Sequence, residues 1–232
     1  MWVVSTTSSR MRAYPSTLIL MVVTVASFKG GVGKSTTAIH LAAYLQALAP
    51  ALLVDGDPNR SVSEWARAGR LPFKVVDERQ AALHAKEFEH IVIDTKARPD
   101  EEDLRALALG CHLLVIPCTP DPLSLRALGL TVTALKSIGA DRYRVLLTVV
   151  PPRPSRDGDD AREMIEQMGL PLFSASIPRL VAFQRAVLEG TTVAGLKDPR
   201  GLQAWDEYRR VGDETAQLVT RRPTYATTQV AG

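Results

Sequence analysis

The stretch Phe28-Lys29-Gly30-Gly31-Val32-Gly33-Lys34-Ser35-Thr36 sets glycines, two lysines and hydroxyls side by side. An apolar, β-branched run, Val22-Val23-Thr24-Val25-Ala26-Ser27, precedes it, and a helix-forming run from Ala38 to Leu48 follows. Strand, glycine loop, helix is the setting an anion cradle needs. The glycines let backbone N–H groups close around a phosphate with no Cβ in the way. The helix behind them adds free N–H groups and a partial positive charge. In such a loop Lys34 reaches the β- and γ-phosphates, and the Ser35 hydroxyl sits on Mg²⁺.

Two further stretches supply acid. Leu53-Val54-Asp55-Gly56-Asp57-Pro58-Asn59 ends a second apolar run. Alternation along a strand puts Asp55 and Asp57 on the same side of its end. Two acidic groups facing phosphate make sense around a metal ion or a water; the alternative is an Asp-Gly-Asp-Pro turn. Ile91-Val92-Ile93-Asp94-Thr95 ends a third run. Its aspartate suits Mg²⁺ held through water, because that ion keeps several waters and takes few carboxylates.

The loop departs from the common G-x-x-x-x-G-K-[ST] pattern. Phe28 stands where a glycine is usual, and a second lysine, Lys29, precedes the paired glycines. In this it resembles the deviant Walker A ATPases of the ParA/MinD group, whose loop reads K-G-G-x-G-K-[ST]. The Asp55–Pro58 stretch resembles the group's Walker A′ motif, D-x-D-P, and Asp94 its Walker B aspartate. The resemblance covers roughly residues 21–195. It implies ATP and Mg²⁺ as ligands, with Lys29, Gly30, Gly31, Val32, Gly33, Lys34, Ser35 and Thr36 around the phosphates. It implies that Lys29 crosses a dimer interface to touch the partner's nucleotide. Lys29, Lys34 and Asp57 become the catalytic set, Asp57 placing the attacking water. Ser35, Asp55 and Asp94 become the metal set. Ile177-Pro178-Arg179, followed by Phe183-Gln184-Arg185-Ala186, resembles the loop and helix that hold adenine, which adds Pro178 and Arg179. Ile116-Pro117-Cys118-Thr119-Pro120-Asp121-Pro122 resembles the segment near the dimer face. The sequence leaves the pattern at Lys96-Ala97-Arg98-Pro99, whose two cations could aid hydrolysis, face a partner or be solvated.

The elements that position these residues alternate between strand and helix. After the first strand and helix, strands are expected at 51–55, 70–76, 89–94, 111–117, 143–150 and 171–177. Helices are expected at 61–68, 78–87, 100–109, 123–138, 157–168, 180–189 and 201–221. In the last, Leu202, Trp205, Tyr208, Val211, Thr215 and Leu218 recur every three or four residues as a core face. Continuous apolar strands between helices predict an α/β fold, a mainly parallel twisted sheet with helices on both faces. Ligands then bind at the carboxyl ends of the strands.

The 232-residue chain is 46% hydrophobic and 23% charged, the composition of an ordinary globular domain. Net charge is +3, which permits contact with nucleic acid but does not argue for it. The two cysteines, Cys111 and Cys118, give no disulfide framework and read as core residues in a reducing compartment. Leu18 to Phe28, behind Arg10 and Arg12, mimics a signal peptide, yet cleavage there would destroy the phosphate loop. The run is also too short to span a bilayer. The expected organisation is a disordered or mis-called extension at 1–20, a single ATPase domain at 21–222 and a flexible tail at 223–232, in the cytoplasm.

The resemblance implies a slow, Mg²⁺-dependent ATPase used as a switch: an ATP-bound homodimer that parts on hydrolysis. ParA proteins bind DNA non-specifically, position plasmids, chromosomes or protein cargo, and answer to a ParB-like or cargo-adaptor partner that stimulates hydrolysis. On that reading the ATP form is nucleoid-associated, and the basic residues to examine are Arg209, Arg210, Arg221 and Arg222, then Arg153 and Arg156. MinD proteins instead hold membrane through a C-terminal amphipathic helix, and the stretch after Arg222 lacks an apolar face. No helix-turn-helix extension precedes the loop, so the resemblance is to a short ParA. An iron–sulfur reductase would need cysteines set to bridge two subunits. A metal chaperone or tail-anchor ATPase would need Cys-x-x-Cys or a Met-rich groove. A scaffold that binds ATP without hydrolysing it stays open.

Overall fold

The computed structural model describes residues 21–220. The expected extension at 1–20 and the tail at 223–232 lie outside the described residues. Among the described residues six strands form one sheet: β1 (Met21–Val25), β2 (Ala51–Gly56), β3 (Lys74–Asp77), β4 (His90–Thr95), β5 (Leu113–Cys118) and β6 (Tyr143–Leu147). Their order is β3-β2-β4-β1-β5-β6, and every pairing is parallel. The chain turns back on itself at β1, so the loop after β1 opens at a topological switch point.

The helices are α1 (Lys34–Gln46), α2 (Ser61–Ala66), α3 (Glu78–His84), α4 (Glu101–Leu109), α5 (Pro122–Ser137), α6 (Asp157–Gln167), α7 (Val181–Glu189) and α8 (Pro199–Thr220). Strand alternation sorts them into two layers. Val23, Val25, Ala51, Leu53, Val92 and Val115 face α1, α2, α7 and α8. Leu114, Ile116, Cys118, Val145 and Leu147 face α4, α5 and α6, and Leu52 and Val54 face α3. Both sides of the central strands are therefore buried, as continuous Val/Ile/Leu runs require. Cys111 and Cys118 are buried free thiols.

Three expectations need correction. Residues 171–177 do not form a strand. They run beside β6 and the loop after it through two isolated bridges, Val145–Leu172 and Val150–Pro178, with backbone hydrogen bonds at Val145–Pro171, Phe173–Val145 and Ile177–Leu147 but none from Ser174 to β6. Pro171 and Pro178 have no N–H to give, and the Ser174 N–H goes to Glu214 Oε2, so the ladder cannot run on. The strand expected at 70–76 begins only at Lys74, beyond Pro72. In α8, Tyr208, Val211 and Thr215 are buried as expected, but Leu202 is 58% exposed. The buried face is made of Gly201, Ala204, Gly212, Ala216 and Val219 beside those three. Small residues let α8 lie close to α1: a Cβ on Gly212 would stand 2.3 Å from Tyr44 Cγ.

Candidate functional site: a phosphate loop facing three carboxylates

Gly31 and Gly33 take left-handed φ angles of 75° and 81°, a conformation open to glycine and strained for other residues. Gly33 is the residue before α1, so the loop delivers its N–H groups straight into a helix N-terminus. A Cβ on Gly30 or Gly31 would meet nothing within 4 Å, so open space lies before the loop. Val32 is buried, and its carbonyl accepts from Thr148 Oγ1 at 2.8 Å, which hooks the loop to the end of β6. Lys34 is buried in the first turn of α1.

Register brings the acids to the same place. Asp55 and Asp94 are partners across β2 and β4, and Asp94 is also the partner of Val25 at the end of β1. Ser35 Oγ donates to Asp94 Oδ2 at 2.6 Å. Asp94 Oδ1 is buried with no hydrogen-bond partner among the described residues. Burial pushes the Asp94 carboxyl up to about 7, against the Ser35 hydrogen bond and the Lys34 charge, while Asp55 and Asp57 push the same way as burial. An orphaned, buried carboxylate oxygen beside a loop serine fits a divalent cation, whose charge would also neutralise phosphate. Ser35 and Asp94 are the residues that would hold Mg²⁺.

Asp55, expected in the metal set, accepts hydrogen bonds on both carboxylate oxygens. Its Oδ2 accepts from Ser63 N at 2.9 Å and Ser63 Oγ at 2.5 Å, and its Oδ1 from Asp57 N at 3.3 Å. It braces the turn that carries Asp57 and adds negative charge beside Asp94. Asp57 is buried, and its Oδ1 accepts from Asn59 N at 2.9 Å.

Lys29 turns away from the cradle. Its Nζ donates to Asp121 Oδ1 at 2.8 Å and to Ser124 Oγ at 2.9 Å. Asp121 also caps α5, accepting from Ser124 N at 3.0 Å, and takes a hydrogen bond from Thr119 Oγ1. Burial pushes the Asp121 carboxyl up, but the bonds from Lys29, Thr119 and Ser124 outweigh it and hold it below the usual carboxylate range. On the opposite flank a cleft of about 170 Å³ opens beside Gly33 and Thr36. Thr148, Pro178, Arg179, Phe183 and Tyr208 line it. The structure thus brings Pro178 and Arg179 to the phosphate loop, on an apolar wall that suits a flat base.

The family described as the CobQ/CobB/MinD/ParA nucleotide binding domain matches residues 23–193. The chain belongs to that family. A maintenance of carboxysome distribution protein A from Gloeobacter kilaueensis is 37% identical over 86% of this chain and 96% of its own length. Protein ParA of Rhizobium radiobacter is 27% identical over 79% of the chain and 89% of its length. Among solved structures, apo McdA from Cyanothece superposes with a TM-score of 0.68 at 16% identity, covering 84% of this chain and 99% of that one. That likeness shows the shared α/β fold.

Other residues of this ParA/MinD-family ATPase domain stay apart from the cradle. Arg209 pairs with Asp206 at 3.0 Å and Arg210 with Glu207 at 3.4 Å, each one turn along the exposed side of α8. Arg153 pairs with Asp159 and Arg156 with Asp160. Arg221 and Arg222 lie outside the described residues. Lys96 is held by Asp100 and Asp103. The sequence marks the Ile116–Pro122 stretch but does not reveal Asp121 and Ser124 as holders of Lys29. An Asp-Pro-x-Ser cap after a buried strand was the available signal.

Proposed function

We propose that the chain is an ATP-driven positioning switch. Two subunits close face to face on ATP, hold non-specific DNA, and part after slow, Mg²⁺-dependent hydrolysis to ADP and phosphate stimulated by a cargo-adaptor or ParB-like protein. The observation that carries this reading is Lys29. An otherwise complete phosphate loop carries a second lysine at its mouth that turns outward to Asp121 and Ser124. A lysine so placed suits a neighbour's phosphates better than its own. The likeness to a protein named for carboxysome distribution, over nearly that protein's whole length, favours protein cargo over a plasmid or chromosome.

Within the site, Gly30 to Thr36 bind and orient the phosphates, and Pro178 and Arg179 wall the base. Ser35 and Asp94 hold the cation. Asp57 orients the attacking water. Hydrolysis by this set is positioning and charge stabilisation, with little covalent work for the protein. Slow turnover suits a timer. The ATP form is cytoplasmic and nucleoid-associated on this reading. Arg209, Arg210, Arg221 and Arg222 are the proposed DNA contacts, and the first two must exchange their carboxylate partners for phosphate.

Co-sedimentation with DNA tests this, with ATP, ADP or no nucleotide, at low and high salt, beside anionic liposomes. The expected result is DNA binding that needs ATP and weakens steeply with salt. Equal binding with ADP at high salt would sink the DNA arm, and liposome binding alone would make the switch a membrane one. Among the described residues no helix is long and apolar enough to cross a membrane.

A further inference from the structure

Among the described residues, three that are not glycine take left-handed backbone: Arg60 (φ 53°), Arg98 (φ 55°) and Val149 (φ 53°). Each stands just beyond the carboxyl end of a strand, β2, β4 or β6, around the phosphate loop. Strained backbone of this kind collects at functional sites. Two of the three have a local reason. Arg60 is the residue before α2, and its Nη1 holds the Asp55 carbonyl at 2.7 Å. Val149 lines the clefts on both flanks of the loop. Arg98 precedes no helix, since α4 is capped by Asp100.

What holds Arg98 is the loop itself. Its backbone N–H donates to the Ser27 carbonyl at 3.2 Å, and its Nε–H donates to the Phe28 carbonyl at 3.2 Å. Those carbonyls are the last before Lys29. The side chain is therefore laid along the entry to the cradle, four residues after Asp94. Its terminal nitrogens have no carboxylate partner among the described residues. Its neighbour cation Lys96, by contrast, is held by Asp100 and Asp103. A turn alone would be met with less strain by glycine. Here the strain is spent on an arginine, fixed at Nε and open at both Nη atoms, the shape of a fork preset for an anion.

We propose that Arg98 is a catalytic residue of this site: its Nη atoms contact the γ-phosphate of the ATP bound by its own subunit and stabilise the charge that grows there in hydrolysis. The proposal rests on the ATPase reading and adds a residue to it. The own-subunit assignment follows from the anchor, because Arg98 is tied to the shoulder of its own loop.

The test compares the full chain with Arg98→Ala, Arg98→Lys and Arg98→Gly. The measurements are thermal melting, affinity for ATP and ADP by fluorescent nucleotide, and single-turnover hydrolysis. Arg98→Ala is expected to leave ADP affinity within about twofold, abolish any preference for ATP over ADP, and slow hydrolysis on the order of 10²-fold, the usual loss for one charge-stabilising donor. Arg98→Gly should hydrolyse as slowly yet melt no lower than the parent, because it relieves the left-handed strain. Arg98→Lys should recover part of the rate. Wild-type hydrolysis in Arg98→Ala would overturn the proposal. So would equal losses of ATP affinity, ADP affinity and melting temperature, which mark a brace. A mixture of Arg98→Ala with Lys34→Ala subunits is expected to stay inactive; recovered activity would put Arg98 on the partner's nucleotide and overturn the own-subunit assignment. If the parent chain itself fails to hydrolyse ATP, the proposed function fails separately, and Arg98 is judged on ATP-over-ADP preference alone.

Discussion

Lys29 and Asp121 form an ion pair of 2.8 Å that ties the mouth of the phosphate loop to the N-cap of α5. The side chains are 30% and 41% exposed, so the pair adds little to stability, less than about 1 kcal/mol. Its consequence is conformational: a lysine that serves a second subunit must first leave Asp121. Asp121→Asn keeps an oxygen to cap α5 and removes the charge that holds Lys29. It should leave melting almost unchanged and let the ATP-dependent dimer form at lower protein concentration. Light scattering after size exclusion, with and without ATP, reads this. A dimer no easier to form than in the parent would remove the pair from the switch.

Asp94 stands in the opposite position, costly to the empty chain and needed by the loaded one. Its Oδ1 is buried without a partner, and Asp55 and Asp57 add like charge. Asp94→Asn removes a buried charge while leaving Ser35 an acceptor. The ligand-free variant should therefore melt as high as the parent or a few degrees higher at pH 8, a trade of function for stability. Mg²⁺ should no longer strengthen ATP binding. Calorimetric titration with and without Mg²⁺ checks this, and an undiminished Mg²⁺ effect would move the cation away from Asp94.

His40 links the loop helix to the far side of the core. Its Nδ1–H donates to the Thr36 carbonyl at 2.6 Å, and its Nε2 accepts from Val193 N at 3.1 Å, which fixes a neutral tautomer. The ring stacks on Tyr208 at 4.6 Å. Burial pushes its pKa down to about 4, only partly offset by the Thr36 bond. The unfolded chain thus takes this proton first as pH falls. Stability from neutral His40 is complete above about pH 6.5 and drains as pH drops towards about 4. Between pH 7 and pH 5 the loss is about 2 kcal/mol. Urea unfolding of the parent and of His40→Gln at both pH values measures it as the difference between the two proteins, because the buried Asp94 carboxyl takes up a proton over the same range and stabilises as pH falls. A His40→Gln protein whose stability changes between pH 7 and pH 5 by the same amount as the parent's would show that His40 is not buried neutral.

Much of this was legible from the sequence because it is local. The glycine loop, the Asp55–Asp57 turn and the Asp94 strand end each carry their chemistry within a few residues, and parallel pairing aligns their ends. What was hidden depends on distant partners. Lys29 finds Asp121 across 92 residues. Residues 171–177 have the composition of a strand, but Glu214 takes the Ser174 N–H and the prolines offer none. Arg98 could be marked as a cation next to Asp94, but its left-handed backbone could not.

The small-residue face of α8 is the last case, and it can be tested directly. Periodicity places Trp205, Tyr208, Val211, Thr215 and Leu218 against the core, as found, but not Leu202, and it passes over Gly212, which the helix turns onto the Tyr44 ring. Tyr44 then reaches past it, its hydroxyl donating to Asp213 Oδ1 at 2.6 Å. Gly212→Ala puts a methyl 2.3 Å from Tyr44 Cγ, a distance no packing tolerates without movement. In an open helix the same change would stabilise by roughly 1 kcal/mol. Here overpacking should win and cost about 1–3 kcal/mol. Tyr44→Ala should relieve the clash, so that Gly212→Ala costs little or nothing in that background. Thermal melts of the four proteins in this cycle give the coupling, and a helix-propensity gain in the parent background would mean that α8 does not press against Tyr44.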